Sequence, residues 1–268
     1  VTDRRLWLLL LFLILLTEKS EGQLLIGPMA GANYSWTSFG DKDLKDTYKT
    51  TPVFGYHVGG HVAFRVRKRF FLHTSLLYST KGKIEESDAG GLHNEVRYKY
   101  IEMPINYTVD FKGKLGKNKE FKYFLGIGPV VSYWLGGKGT LENNDAYEFG
   151  YGPQDYKIVF DKDPQDAADD EMVVQDPNRI QLGLNFIAGL SLEPSPGKTV
   201  LVSLRYELGH TYLSGTTDGQ YGISVFEDPM KIRNQGIRLS AAYMIDLKTA
   251  DRKRGKTTNR VKTNRRRR

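Results

Sequence analysis

Between residues 96 and 111 the chain reads Val-Arg-Tyr-Lys-Tyr-Ile-Glu-Met-Pro-Ile-Asn-Tyr-Thr-Val-Asp-Phe, and from Ile101 onward apolar and polar positions alternate. Ile101, Met103, Ile105, Tyr107 and Val109 share one face, and Glu102, Pro104, Asn106 and Thr108 share the other. Side chains two apart lie on the same side of a strand, so this is a strand with one apolar and one polar face. A carboxylate, a proline and an amide in mid-strand fit the polar inside of a small barrel whose outside faces lipid. Seven more segments carry the same period: 24–36, 53–66, 70–81, 120–134, 180–192, 199–212 and 237–247. Soluble strands usually run about 5–6 residues, whereas a tilted membrane strand needs about 9–11; the lengths here favour the membrane. The prediction is an all-β protein, an eight-stranded antiparallel up-and-down transmembrane β-barrel.

The connections alternate in length. Those at 67–69, 112–119 and 193–198 are short; those at 37–52, 82–95, 135–179 and 213–236 are longer. Short turns belong on the periplasmic side and long loops outside, and an even strand number returns the chain to the side where it began. Trp36, Tyr78, Tyr133, Trp134 and Tyr212 fall at predicted outer strand ends, where aromatic residues form an interfacial girdle.

The ends differ from the body. Arg4-Arg5, an apolar run at 6–16 and Ser20-Glu21-Gly22 predict a secretory signal peptide over residues 1–22, with the barrel at 23–247. The apolar run is too short to span a bilayer as a helix. The formal net charge is +8, but residues 248–268 hold eleven Lys/Arg and one acid, Asp251, so this tail carries +10 and the rest of the chain −2. The body is therefore not a basic nucleic-acid-binding domain. With one Val and no apolar period the tail is expected to be a disordered periplasmic extension. There is no Cys, which excludes disulfides, thiolate metal sites and lipoprotein acylation.

Three stretches carry a likeness to a known family: Gly27-Pro28-Met29-Ala30-Gly31-Ala32-Asn33, Leu77-Tyr78-Ser79-Thr80-Lys81-Gly82 and Tyr100-Ile101-Glu102-Met103-Pro104-Ile105, with Gly126-Ile127-Gly128-Pro129 later. Over residues 23–247 the chain resembles the PorT-like outer-membrane β-barrel family of Bacteroidetes, an architectural relative of OmpA/OmpX-type eight-stranded barrels. The resemblance implies a monomeric outer-membrane barrel, with some members serving a secretion system of that phylum. It does not supply the basic tail, which follows Tyr243–Leu247 where an aromatic assembly signal would end the chain.

Candidate chemistry follows from strand parity. Arg65, Glu102, Arg205, Glu207 and Arg238 fall on inward faces with Asn106, Gln181 and Asn185. Eight strands enclose a space just wide enough for side chains to fill, and charges there must be paired. They are expected to form an interior charge network that keeps the barrel rigid and closed; the alternative is a small pore. A second alternative is a lipid-modifying hydrolase using His73 and Ser75, although their parity places them inside, away from lipid. Asp161–Asp166 lacks the glycine and the distal Glu of a calcium loop, Met172 standing at the twelfth position; it is read as part of a solvated acidic loop. His57 and His61 lie too far apart along a strand for a helical metal clamp. No phosphate-cradling or dinucleotide motif is present. The expectation is a non-enzymatic barrel with a structural or binding role in an envelope or secretion assembly, without cofactor or metal. Outer-membrane lipid surrounds it. A periplasmic anionic partner or envelope protein complex is expected at the tail, through Arg252, Lys253, Arg254, Arg265, Arg266, Arg267 and Arg268. The export signal argues against nucleic acid.

Overall fold

Alternation at a period of two carries the chain into long antiparallel strands, seen in a computed structural model that describes residues 23–40, 42–87, 91–115, 119–148, 150, 152–215, 218–221 and 227–247. The predicted signal peptide at 1–22 and the basic tail at 248–268 lie outside the described residues. Eight strands close the ring: β1 (Leu24–Phe39), β2 (Tyr48–Arg67), β3 (Phe70–Ser87), β4 (Leu92–Leu115), β5 (Lys119–Asn143), β8 (Ile180–Ser195), β9 (Lys198–Gly209) and β12 (Ile232–Asp246). Each pairs antiparallel with the next, β5 joins β8, and β1 closes on β12 with Ala30 opposite Ala241 and Asn33 opposite Arg238. The remaining strands, β6 (Gln154–Phe160), β7 (Glu171–Val174), β10 (Asp218–Tyr221) and β11 (Glu227–Pro229), continue from the outer end of β5. Two short helices, α1 (Lys42–Thr47) and α2 (Asn144–Glu148), lie in the outer connections.

The strands run further outward than the sequence predicts. β4 has 24 residues and β5 has 25. Along β4 the outward side chains Met103, Ile105 and Tyr107 give way to Lys99, Arg97, Glu95 and His93, while the inward ones, Tyr100, Tyr98 and Val96, become fully buried apolar groups. The alternation continues past the lipid with its sense reversed: polar outside, apolar inside. Most of the predicted loop at 82–95 is therefore strand, and the loop at 135–179 contains β6, β7 and the end of β5.

The interior is layered. At the short-turn end Leu25, Met29, Phe124, Leu201 and Met244 form an apolar plug. Charged and polar residues fill the middle. At the outer end Tyr98, Trp134, Met172, Leu213, Met230 and Ile232 form a second apolar core, contributed jointly by the barrel wall and the outer connections. Trp134 is the largest side chain in that core and fully buried, so it is not a girdle residue; it lies on the inward parity of β5. Small residues permit the tight curvature. A Cβ on Gly128 would stand 1.8 Å from the Ile105 carbonyl oxygen, and one on Gly31 2.0 Å from that of Leu239.

Candidate functional site

The middle layer is built around Glu102, which β4 aims inward because both strand neighbours, Ile101 and Met103, face out. Arg238 of β12 grips its carboxylate with both terminal nitrogens, Nη2 at 2.8 Å from Oε1. Lys81 Nζ of β3 lies 2.6 Å from the same oxygen. Ser79 Oγ donates to Oε2 at 2.6 Å and Ser132 Oγ to Oε1 at 3.2 Å. Across the lumen, Glu207 of β9 pairs with Lys81 and lies 2.8 Å from Arg238 Nη2. Two acids and two bases thus form a neutral square, every side chain at most 5% exposed. It braces β3 and β4 against β9 and β12, which stand on opposite sides of the ring. Taking charges out of water is costly, and pairing and hydrogen bonding of this kind offset the cost.

The five inward residues singled out in the sequence do not all meet. Glu102, Glu207 and Arg238 do. Arg205 sits in register with Arg238 and is 1% exposed, but among the described residues it makes no salt bridge, Arg238 having taken both carboxylates. Arg65 does not belong to this layer: it stands at the short-turn rim with its guanidinium carbon 5.0 Å from the Phe71 ring centre. Lys81 is the member that sequence reasoning missed. Its signal was parity, since it continues the inward series His73, Ser75, Leu77 and Ser79.

Below the square lies a histidine layer. His57 Nδ1 is 2.5 Å from Asn33 Oδ1, and its Nε2 is 2.8 Å from Ser240 Oγ. His61 lies between Ser75, 2.7 Å from Nδ1, and His73, 3.0 Å from Nε2. Ser75 therefore contacts His61 rather than His73, and both Ser75 and His73 are 4% exposed inside the wall. That geometry fixes the rings and gives an acyl chain outside no approach to Ser75.

Above the square, outside the lipid zone, a second buried group fastens the outer connection. Lys83 Nζ pairs with Glu85 and lies 2.6 Å from Asp228 Oδ1, all three fully buried. Burial lifts the Glu85 carboxyl to about 7, with Asp228 adding to the rise and Lys83 opposing it. One cation with two carboxylates is neutral only when one carboxylate holds a proton. At the acidic loop, Asp163 Oδ1 accepts from Gln165 N at 3.0 Å and so orders a turn. No group of three or more potential metal ligands is found among the described residues.

A closed antiparallel ring, apolar where it faces lipid and filled with paired charges, defines a small transmembrane β-barrel. Residues 17–212 match the model of a family described as outer membrane protein beta-barrel domain. The chain belongs to that family and is a protein of the outer membrane. A search of curated proteins gives no match. Among solved structures it is similar to neisserial surface protein A, at 12% identity and TM-score 0.40, with 85% of this chain and 99% of that one covered. It is similar to Ail, the attachment invasion locus protein of Yersinia pestis, at 13% identity and TM-score 0.33, covering 84% and 100%. A third likeness is to OprG from Pseudomonas aeruginosa, at 11% identity and TM-score 0.37, covering 84% and 93%. The family match, not these remote likenesses, places the chain.

Proposed function

We propose that the protein is a non-enzymatic, closed barrel with a structural or binding role in an envelope assembly, anchored in the membrane by its wall and engaged with a periplasmic anionic partner through its basic tail. The observation that carries this reading is the filled lumen. An apolar plug, the Glu102–Arg238–Lys81–Glu207 square and the outer apolar core follow one another along the axis, each of deeply buried side chains. Such an interior holds shape rather than passing or transforming a solute. The PorT-like stretches, Tyr100–Ile105 above all, favour a secretion assembly as the setting. The tail, Arg252 to Arg268, supplies positive charge, and each Lys/Arg near an anionic surface contributes about 1 kcal/mol.

Deletion of residues 250–268 tests the tether. The shortened barrel is expected to assemble in the outer membrane and to lose its co-purifying partner at low salt. Identical partners for the full and shortened chains at every salt concentration would contradict it. Mass spectrometry of lipid A from cells with and without the gene is expected to show no difference; a change in acylation would favour a hydrolase.

A further inference from the structure

At the short-turn mouth of the barrel, the rim between the β2–β3 turn and the β4–β5 hairpin is basic. Arg65, Lys68, Arg69, Lys112 and Lys122 line a cleft of about 410 Å³ with one carboxylate, Asp110. Lys112 and Lys122 stand directly opposite each other in the β4–β5 ladder. Like charges in facing positions destabilise a pair of strands. Glu193 offsets part of this, lying 2.5 Å from Lys122 Nζ. Among the described residues, no carboxylate lies within salt-bridge distance of Lys68, Arg69 or Lys112. The cleft has a surplus of positive charge at the level where lipid headgroups of the periplasmic leaflet lie, since short turns mark that side.

The lipid side of the cleft is aromatic. Phe111 and Tyr123 border it, their rings stacked at 5.2 Å. Tyr123 also borders an apolar groove of about 730 Å³ that runs up the outer wall. The groove has a specific cause. In one row across the sheet, Leu125 faces Ala188, Ala188 faces Leu204 and Leu204 faces Leu239. Ala188, the small side chain between Leu125 and Leu204, leaves a furrow in the outer wall. A charged cleft opening onto an apolar furrow matches a molecule with an anionic head and a hydrocarbon tail.

We infer that this rim binds an anionic glycerophospholipid of the periplasmic leaflet, its phosphate held by Lys68, Arg69 and Lys112 and an acyl chain laid past Tyr123 over Ala188. The assignment is independent of the tail, which lies elsewhere in the chain and stays intact in the test. Native mass spectrometry of the full-length protein in detergent, titrated with phosphatidylglycerol or phosphatidylethanolamine, reads it directly. Phosphatidylglycerol is expected to be retained about tenfold more tightly. Joint substitution Lys68→Ala, Arg69→Ala and Lys112→Ala should remove that preference, and Lys112→Arg alone should keep it. Ala188→Leu fills the furrow on the lipid-facing side, leaves every charge in place, and should weaken retention of both lipids; it serves as the second variant should the triple one fail to fold, judged by heat-dependent gel mobility. Equal retention of the two lipids by the parent protein overturns the site. So does a preference that survives the triple substitution, or retention of both lipids that Ala188→Leu leaves unchanged. Complete displacement by millimolar inorganic phosphate assigns the cleft to free phosphate and overturns the lipid.

Discussion

Glu102 is held by two cations and two hydroxyls, so its negative charge is the most heavily committed group in the lumen. Glu102→Gln leaves Arg238 and Lys81 sharing Glu207 alone. Breaking a buried pair from one side costs about 3–5 kcal/mol. Urea unfolding of the detergent-refolded barrel, followed by tryptophan fluorescence, should register a loss of that order. Adding Arg238→Met removes the stranded cation and should restore part of it. Adding Arg205→Met should restore less, because Arg205 does not touch Glu102; equal coupling in the two double variants would contradict the geometry. Parity made Glu102, Glu207 and Arg238 legible in the sequence as inward residues. Partner choice was not legible, since it depends on the height at which each strand crosses the lumen. That height separates Arg65, which lies at the rim, from the square; Arg205, in register with Arg238, is left out because Arg238 takes both carboxylates.

At the scale of elements, the eight ring strands were readable wherever lipid forces the outward side chains to be apolar. They stopped being readable where that demand ends. Above the lipid, β4 turns Lys99, Arg97, Glu95 and His93 outward and Tyr98 and Val96 inward, which is the pattern of a solvated wall around a core. Apolar outward faces end there, so the alternation alone predicts shorter β3, β4 and β5 than the structure has. The extensions carry Lys83 and Glu85, which clasp Asp228 of β11. The folded-state pKa of Glu85, near 7, lies above the usual 4.5, so the folded chain binds that proton more tightly than the unfolded one. The stabilisation is complete below about pH 4.5 and is lost as the pH rises towards 7. Amide hydrogen exchange in β11 and the start of β12, corrected for intrinsic rates, should therefore show weaker protection at pH 8 than at pH 5. Glu85→Gln should remove the difference. Protection that increases with pH would contradict the assignment.

For the whole molecule, the sequence made the strand number and the alternation of short and long connections plain, because both follow from crossing a bilayer repeatedly. It did not reveal that the outer connections turn inward to build a core of their own, with Met172, Leu213 and Met230 buried against Trp134. Those residues lie in polar stretches without period, and only the assembled wall gives them a surface to cover. The result is a lumen filled from end to end, its charges held in the middle layer around Glu102 and in the outer Lys83–Glu85–Asp228 group. Single-channel recording of the purified full-length protein in planar lipid bilayers tests that most directly. The filled lumen predicts a baseline without discrete steps across the usual voltage range, in the parent protein as inserted and refolded. Reproducible ohmic openings of uniform size would show a continuous water path and contradict the account.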